Sequence, residues 1–161
     1  MGLVNRIRPR IGDVIEIPTT AGLAYAQYTH KHARPPRYGA LLRVLPGLHQ
    51  QRPAHFSSIV LQRERFLAFF PLGAACNRRI VRVVASEPIP EWARPFPVFR
   101  YGNADRNGQV RVWFLWDGEN ETRVGALTPE QMKLPVHPGV WNDVLLIERI
   151  VQGSQASRDA S

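Results

Sequence analysis

Two short runs combine side chains suited to metal binding or proton transfer. In His30-Lys31-His32 the imidazoles alternate, so on a strand both rings would share one face. Zinc takes three or four ligands, however, and Lys31 between the rings repels a cation. Nothing in the sequence brings His49, His55 or His137 to join them, so the run reads as an exposed basic loop and no metal site is expected. Asp117, Glu119 and Glu121 could supply paired carboxylates for general acid–base work. They straddle a hairpin tip, where solvated acidic residues are routine. Cys76, the sole cysteine, lies among Ala74, Ala75 and Asn77 and reads as a small core residue rather than a nucleophile. There is no glycine-rich phosphate loop, Gly-x-Ser-x-Gly elbow, His-Glu-x-x-His or Cys-x-x-Cys. No catalytic residue and no cofactor is therefore expected. An enzyme would need several of His30, His32, His55, Asp117 and Glu121 to converge in one pocket.

Charge is the more informative property. Twenty-one basic and 13 acidic residues leave a net +8, nearly all the basic ones being arginine. Residues 1–85 hold 13 basic against 3 acidic side chains, whereas 86–161 hold 8 against 10. A basic half attracts polyanions, and arginine suits bidentate contacts to phosphate or carboxylate; a GC-rich genome would also write arginine for lysine. Arg63, Arg65, Arg78, Arg79 and Arg82 could track a phosphate backbone. For a protein partner, the expected contacts are Arg34 and Arg37, with Arg111, Trp113 and Leu115 on the outward face of a strand. If the terminal helix covers that face, Trp113 is buried instead.

The elements that must position these residues follow from periodicity. Residues 12–17 alternate as a strand, with Ile15 and Ile17 on one face and Val14 and Glu16 on the other. Pro18 and Gly22 bracket a tight connection to a second strand at 23–29. A basic loop follows at 30–37, where Pro35 and Pro36 cannot join a ladder, and then a third strand at 40–45. Phe56, Ile59 and Val60 have helical spacing within 55–65. The run 66–70 is apolar on both faces, as a central strand requires, and 80–85 is a further strand. In the second half, 96–101 and 110–116 flank Asp105-Arg106-Asn107-Gly108, and Asn-Gly suits a type I′ hairpin. Asp117-Gly118 turns into 122–126, completing a three-stranded meander. Thr128 caps one helical turn with Pro129 at its first position. Residues 142–152 form the best helix, capped by Asn142, ended by Gly153 and striped by Val144, Ile147, Ile150 and Val151, with a strand as the other reading.

Seven or eight short strands with one terminal helix predict a mainly β chain: a small twisted barrel or half-barrel, one domain over 1–152, and a disordered tail at 153–161. No run nears the roughly 20 apolar residues of a membrane span. The first ten residues lack the apolar core of a secretory signal, and one cysteine allows no internal disulfide, so a reducing cytoplasm is expected.

The opening Ile11-Gly12-Asp13-Val14-Ile15-Glu16-Ile17-Pro18, with Leu23-Ala24-Tyr25-Ala26-Gln27-Tyr28 after it, resembles the start of the immunity protein 26 family. The resemblance covers the first third of the chain. It implies an SH3-like β-barrel and a bacterial role in neutralising a toxin by direct binding, and it supplies no catalytic residues. Many nuclease inhibitors are acidic; this chain is basic, so the expected target surface is acidic. The leading expectation is a non-enzymatic protein-binding module. The alternative is a nucleic-acid-binding small barrel using its arginine-rich face.

Overall fold

A computed structural model describes residues 5–159, with only the backbone path given for 154–159. Where the sequence suggests one body, the chain divides into two compact units. One runs up to Glu91 and resumes at Gly139; the other is Trp92–Pro138. No shift in composition marks Trp92 as a boundary.

The first unit is built on β1 (Asp13–Thr19), β2 (Gly22–His32), β3 (Gly39–Val44), β4 (Phe66–Phe70) and β5 (Arg82–Ser86), antiparallel in the order β4-β3-β2-β1-β5. The mainly β expectation holds. The sheet is open, because β4 and β5 are its two edges and do not pair with each other. Phe66–Phe70 is thus an edge strand rather than the central one its apolar run suggests. Both its faces are covered all the same: Ala68 and Phe70 pack in one cluster, while Phe69 stacks on Tyr38. At the β1–β2 turn Gly22 has φ +136°, and a Cβ there would stand 3.0 Å from the His49 carbonyl oxygen. Only glycine permits that approach.

Alternation sorts the core. Ile15, Ile17, Ala26, Leu42, Val44 and Phe70 face one way, against a short helix α1 (Leu72–Asn77) and the terminal helix α2 (Asp143–Asp159). Val14, Tyr25 and Leu45 face the other way and meet Phe56, Ile59 and Val60. Those three are buried as their spacing suggests, but 55–65 forms turns instead of a helix. The reason is a distant group: the Val60 and Gln62 carbonyls accept from the Arg43 guanidinium, which draws them out of a helical ladder.

The helix reading of 142–152 is correct, and Asn142 caps it by accepting from the Leu145 N–H at 2.8 Å. The stripe differs. Leu146 and Ile150 are the buried contacts, whereas Val144 is 59% exposed. Gly153 does not end the helix, which carries on through the segment expected to be a tail; Ala160 and Ser161 lie outside the described residues. Gly153 instead lies against the Arg65 guanidinium, where a Cβ would collide. No described helix is long and apolar enough to cross a membrane.

The second unit is the expected meander, β6 (Phe99–Tyr101), β7 (Trp113–Trp116) and β8 (Glu121–Gly125). Its first turn is not type I′. Gly108 alone has positive φ there (+76°); its N–H bonds the Asp105 carbonyl at 3.0 Å and Asp105 N–H bonds the Gln109 carbonyl at 2.8 Å, a four-residue turn closed by a glycine bulge. At the second turn, the Asp117 carboxylate accepts from the Glu119 and Asn120 N–H groups. Thr128 and Gln131 cap each other reciprocally ahead of a single 3-10 turn, Gln131–Lys133.

Candidate functional site

The first unit holds two concentrations of polar groups, and their hydrogen bonding separates them. One is internal. Glu16 is 5% exposed and accepts from Tyr25 Oη at 2.9 Å and from Arg52 Nε and Nη2 at 2.7 and 3.0 Å. The Arg52 bonds hold the Glu16 carboxyl below its ordinary range, and burial followed by the Glu16 bond pushes the Tyr25 phenol up. Arg43, wholly buried, donates to Gln27 Oε1 at 3.0 Å, to the Gln62 carbonyl at 3.0 Å and to the Val60 carbonyl, with Glu64 3.7 Å away. Burial lowers the Arg43 pKa, and Glu64 opposes that shift. Gln27 in turn donates to the Glu87 carbonyl at 2.8 Å. These bonds fasten the 46–62 segment over the sheet, and Glu64 Oε2 is the buried oxygen of the group left without a hydrogen bond. They are architecture.

The second concentration faces outward and is unsatisfied. A groove of about 790 Å³ runs between an N-terminal arm and the ends of β2, β3 and β4. Arg6 and Arg8 line it from the arm, Lys31 from β2, and Arg37 from the loop before β3; no acidic residue lines it. Among the described residues no carboxylate pairs with any of the four. The floor is apolar: Phe70 and Leu72 are 1% and 2% exposed, and Tyr28, its phenol pushed up by burial and then by the Asp13 charge, is nearly covered.

A β-bulge builds this arrangement. In β2, Tyr28 pairs with Leu42 and His30 with Leu41, so the register slips at Thr29. Side chains on a strand alternate, and without the slip Tyr28 would share its face with His30 and His32. With it, Tyr28 and Lys31 share the face of Ala40 and Phe70, which pair across β3 and β4. His32 turns to the opposite face, 6% exposed, with its ring 5.4 Å from Tyr38. Tyr38, a groove wall, is thereby held between His32 and Phe69.

The sequence-predicted residues fall in several places. Arg37 lines the groove, and Arg34 is exposed on the same 33–37 loop. His30 and His32 belong to β2 and not to a basic loop, which is a correction: β2 continues to pair with Ala40 and Gly39. Arg111, Trp113 and Leu115 lie in the second unit. Arg111 pairs with Asp105 at 3.2 Å, and the Arg100 guanidinium lies 5.0 Å over the half-buried Trp113 ring. The five arginines of the phosphate-tracking reading spread along the first unit. Arg65 leads into β4 and Arg82 opens β5, at opposite edges of the sheet, while Arg78 and Arg79 follow α1. Among the described residues no three of His, Cys, Asp and Glu gather to hold a metal. Cys76 is buried, and its thiol is pushed up to about 11 by burial and then by Asp13.

Sequence reasoning missed Arg6, Arg8 and Lys31 as one group. Their only signal was charge without nearby acid, and nothing local announces the bulge that brings Lys31 to Tyr28. No family model matches this chain, and neither a curated protein nor a solved structure is significantly similar to it.

Proposed function

We propose that the protein is a non-enzymatic binding module whose basic groove seats an acidic segment of a protein partner. One observation carries this reading: four cationic side chains surround one apolar-floored groove, and among the described residues no acid pairs with them. The buried Glu16 and Arg43 are engaged by Arg52, Tyr25, Gln27 and backbone carbonyls, whereas these four cations converge on one groove open to a partner. In the setting that the N-terminal resemblance implies, the partner is a bacterial toxin with an acidic face, met in a reducing cytoplasm. Surface charges of this kind steer encounter and set register, while the floor supplies area to bury.

The same cations would attract nucleic acid. Single-strand binders add aromatic faces on which bases stack. Here Phe70 and Tyr28 are almost fully covered and Tyr38 already lies on Phe69, which favours carboxylates over bases.

The test is titration with a short glutamate-rich peptide and with a short single-stranded DNA, at several salt concentrations. An exposed ion pair contributes about 0.2–1 kcal/mol, so reversing two charges in R8E/K31E is expected to weaken peptide binding by about tenfold or more. The affinity should also fall with salt. Tighter binding of the DNA, lost in the same variant, would select the nucleic-acid reading. Peptide binding that ignores the reversal would refute the groove.

A further inference from the structure

We infer that Asn77 is a positioning residue for the groove: its side-chain amide latches the N-terminal arm, giving the groove two cationic walls and selecting an extended acidic segment with carboxylates along both edges. This rests on the binding reading above.

Ile7 makes both of its backbone hydrogen bonds with this one side chain. Its N–H donates to Asn77 Oδ1 at 2.9 Å, and Asn77 Nδ2 donates to its carbonyl at 2.9 Å. A primary amide here does what a neighbouring strand would do, offering one donor and one acceptor to a single residue. The second Nδ2 hydrogen goes to the Gly73 carbonyl at 2.7 Å. That bond fixes the amide's orientation, since a flipped amide would set Oδ1 against two carbonyl oxygens. Asn77 is the last residue of α1, whose first turn lines the groove. The latch thus ties the arm to the floor.

The base of the arm is held separately. Arg10 N–H donates to Asp13 Oδ2 at 2.8 Å, Asp13 N–H to the Arg10 carbonyl at 3.0 Å, and Gly12 N–H to the Tyr28 carbonyl at 2.7 Å. Losing Asn77 therefore frees the short span that carries Arg6 and Arg8 and leaves β1 in register. Across the groove, Lys31 and Arg37 stand on the sheet and its loop and do not depend on the latch.

The experiment compares dissociation constants for a short glutamate-rich peptide in wild type, R6A/R8A, K31A/R37A, N77A and N77A/R6A/R8A, with amide exchange at Ile7 in the free protein. N77A and R6A/R8A are each expected to weaken binding by about two- to thirtyfold, the value of two exposed ion pairs. Combining them should add little, because the arm arginines contribute only when latched. Ile7 exchange should accelerate in N77A while the β1–β3 amides keep their protection. If Ile7 exchange is unchanged in N77A, or N77A binds as wild type while R6A/R8A does not, the latch is refuted and the groove stands. If neither arginine pair nor the lysine matters, the groove reading fails and the latch falls with it.

Discussion

Arg43→Met is the sharpest perturbation of the polar interior. The methionine conserves length and apolar volume and removes the guanidinium. Three acceptors then lose their donor: Gln27 Oε1, the Val60 carbonyl and the Gln62 carbonyl. A buried acceptor left unsatisfied costs about 1–3 kcal/mol. Of the three, Gln62 is exposed and can turn to water; the buried Glu64 Oε2, 3.7 Å from Arg43, also loses its cation. Two acceptors therefore carry the loss, for a gross cost of about 2–6 kcal/mol. Removing one partner of a buried charged network costs about 3–5 kcal/mol, and methionine needs no desolvation of its own. The expected net loss is about 3 kcal/mol. The assay is native-state amide exchange read on the β2–β3 ladder, which isolates the first unit. The Val60 amide, bonded to the Phe56 carbonyl at 3.0 Å, should lose protection first. Adding Gln27→Leu should recover little, because it removes one orphaned acceptor and deprives the Glu87 carbonyl of its Gln27 donor. Arg43→Met at wild-type stability, within about 0.5 kcal/mol, would refute the claim that this buried guanidinium holds the 46–62 segment in place.

Glu16, held below its ordinary value of 4.5, stabilises the folded state above that pH, and the contribution is lost as pH falls through the lower folded value. Stability of the first unit should therefore decline in acid below about pH 4.5, and Glu16→Gln should flatten that decline in a pH series of melts. Gly118→Ala should cost about 1–3 kcal/mol from overpacking in addition to backbone strain, because Gly118 has φ +98° and a Cβ would meet the Phe96 ring at 2.8 Å. Gly108→Ala, at φ +76° with nothing within 4 Å, should show the strain alone, so equal losses in urea unfolding would refute the packing argument. Leu146→Ala, which empties a fully buried position on α2, should cost about 2–5 kcal/mol in the same assay. Cys76 should resist a thiol reagent at pH 8 until the protein is unfolded, because its thiol sits near 11 and is buried.

Local chemistry made much of the fold legible. Alternation placed Ile15 and Ile17 opposite Val14 and Glu16, Asp117-Gly118 turned the second hairpin of the meander, and Asn142 and Thr128 capped as their positions suggest. The errors came where distant groups outweigh local preference. Phe56, Ile59 and Val60 have helical spacing, but Arg43 claims the carbonyls a helix would use. The run 66–70 looks central, yet chain order places it at an edge, where Val140 bridges to Phe69.

That the chain is mainly β, that its basic residues crowd the first half, and which stretches alternate all follow from residue types and near neighbours. Which charges are consumed was decided only in three dimensions. Glu16 finds Arg52 across 36 positions and Arg43 reaches Gln62 across 19, while Arg6, Arg8, Lys31 and Arg37 find no acid among the described residues. A one-residue slip at Thr29 then aims Lys31 beside Tyr28. Charge is a property of a residue, but its neutralisation is a property of distance, and distance belongs to the fold.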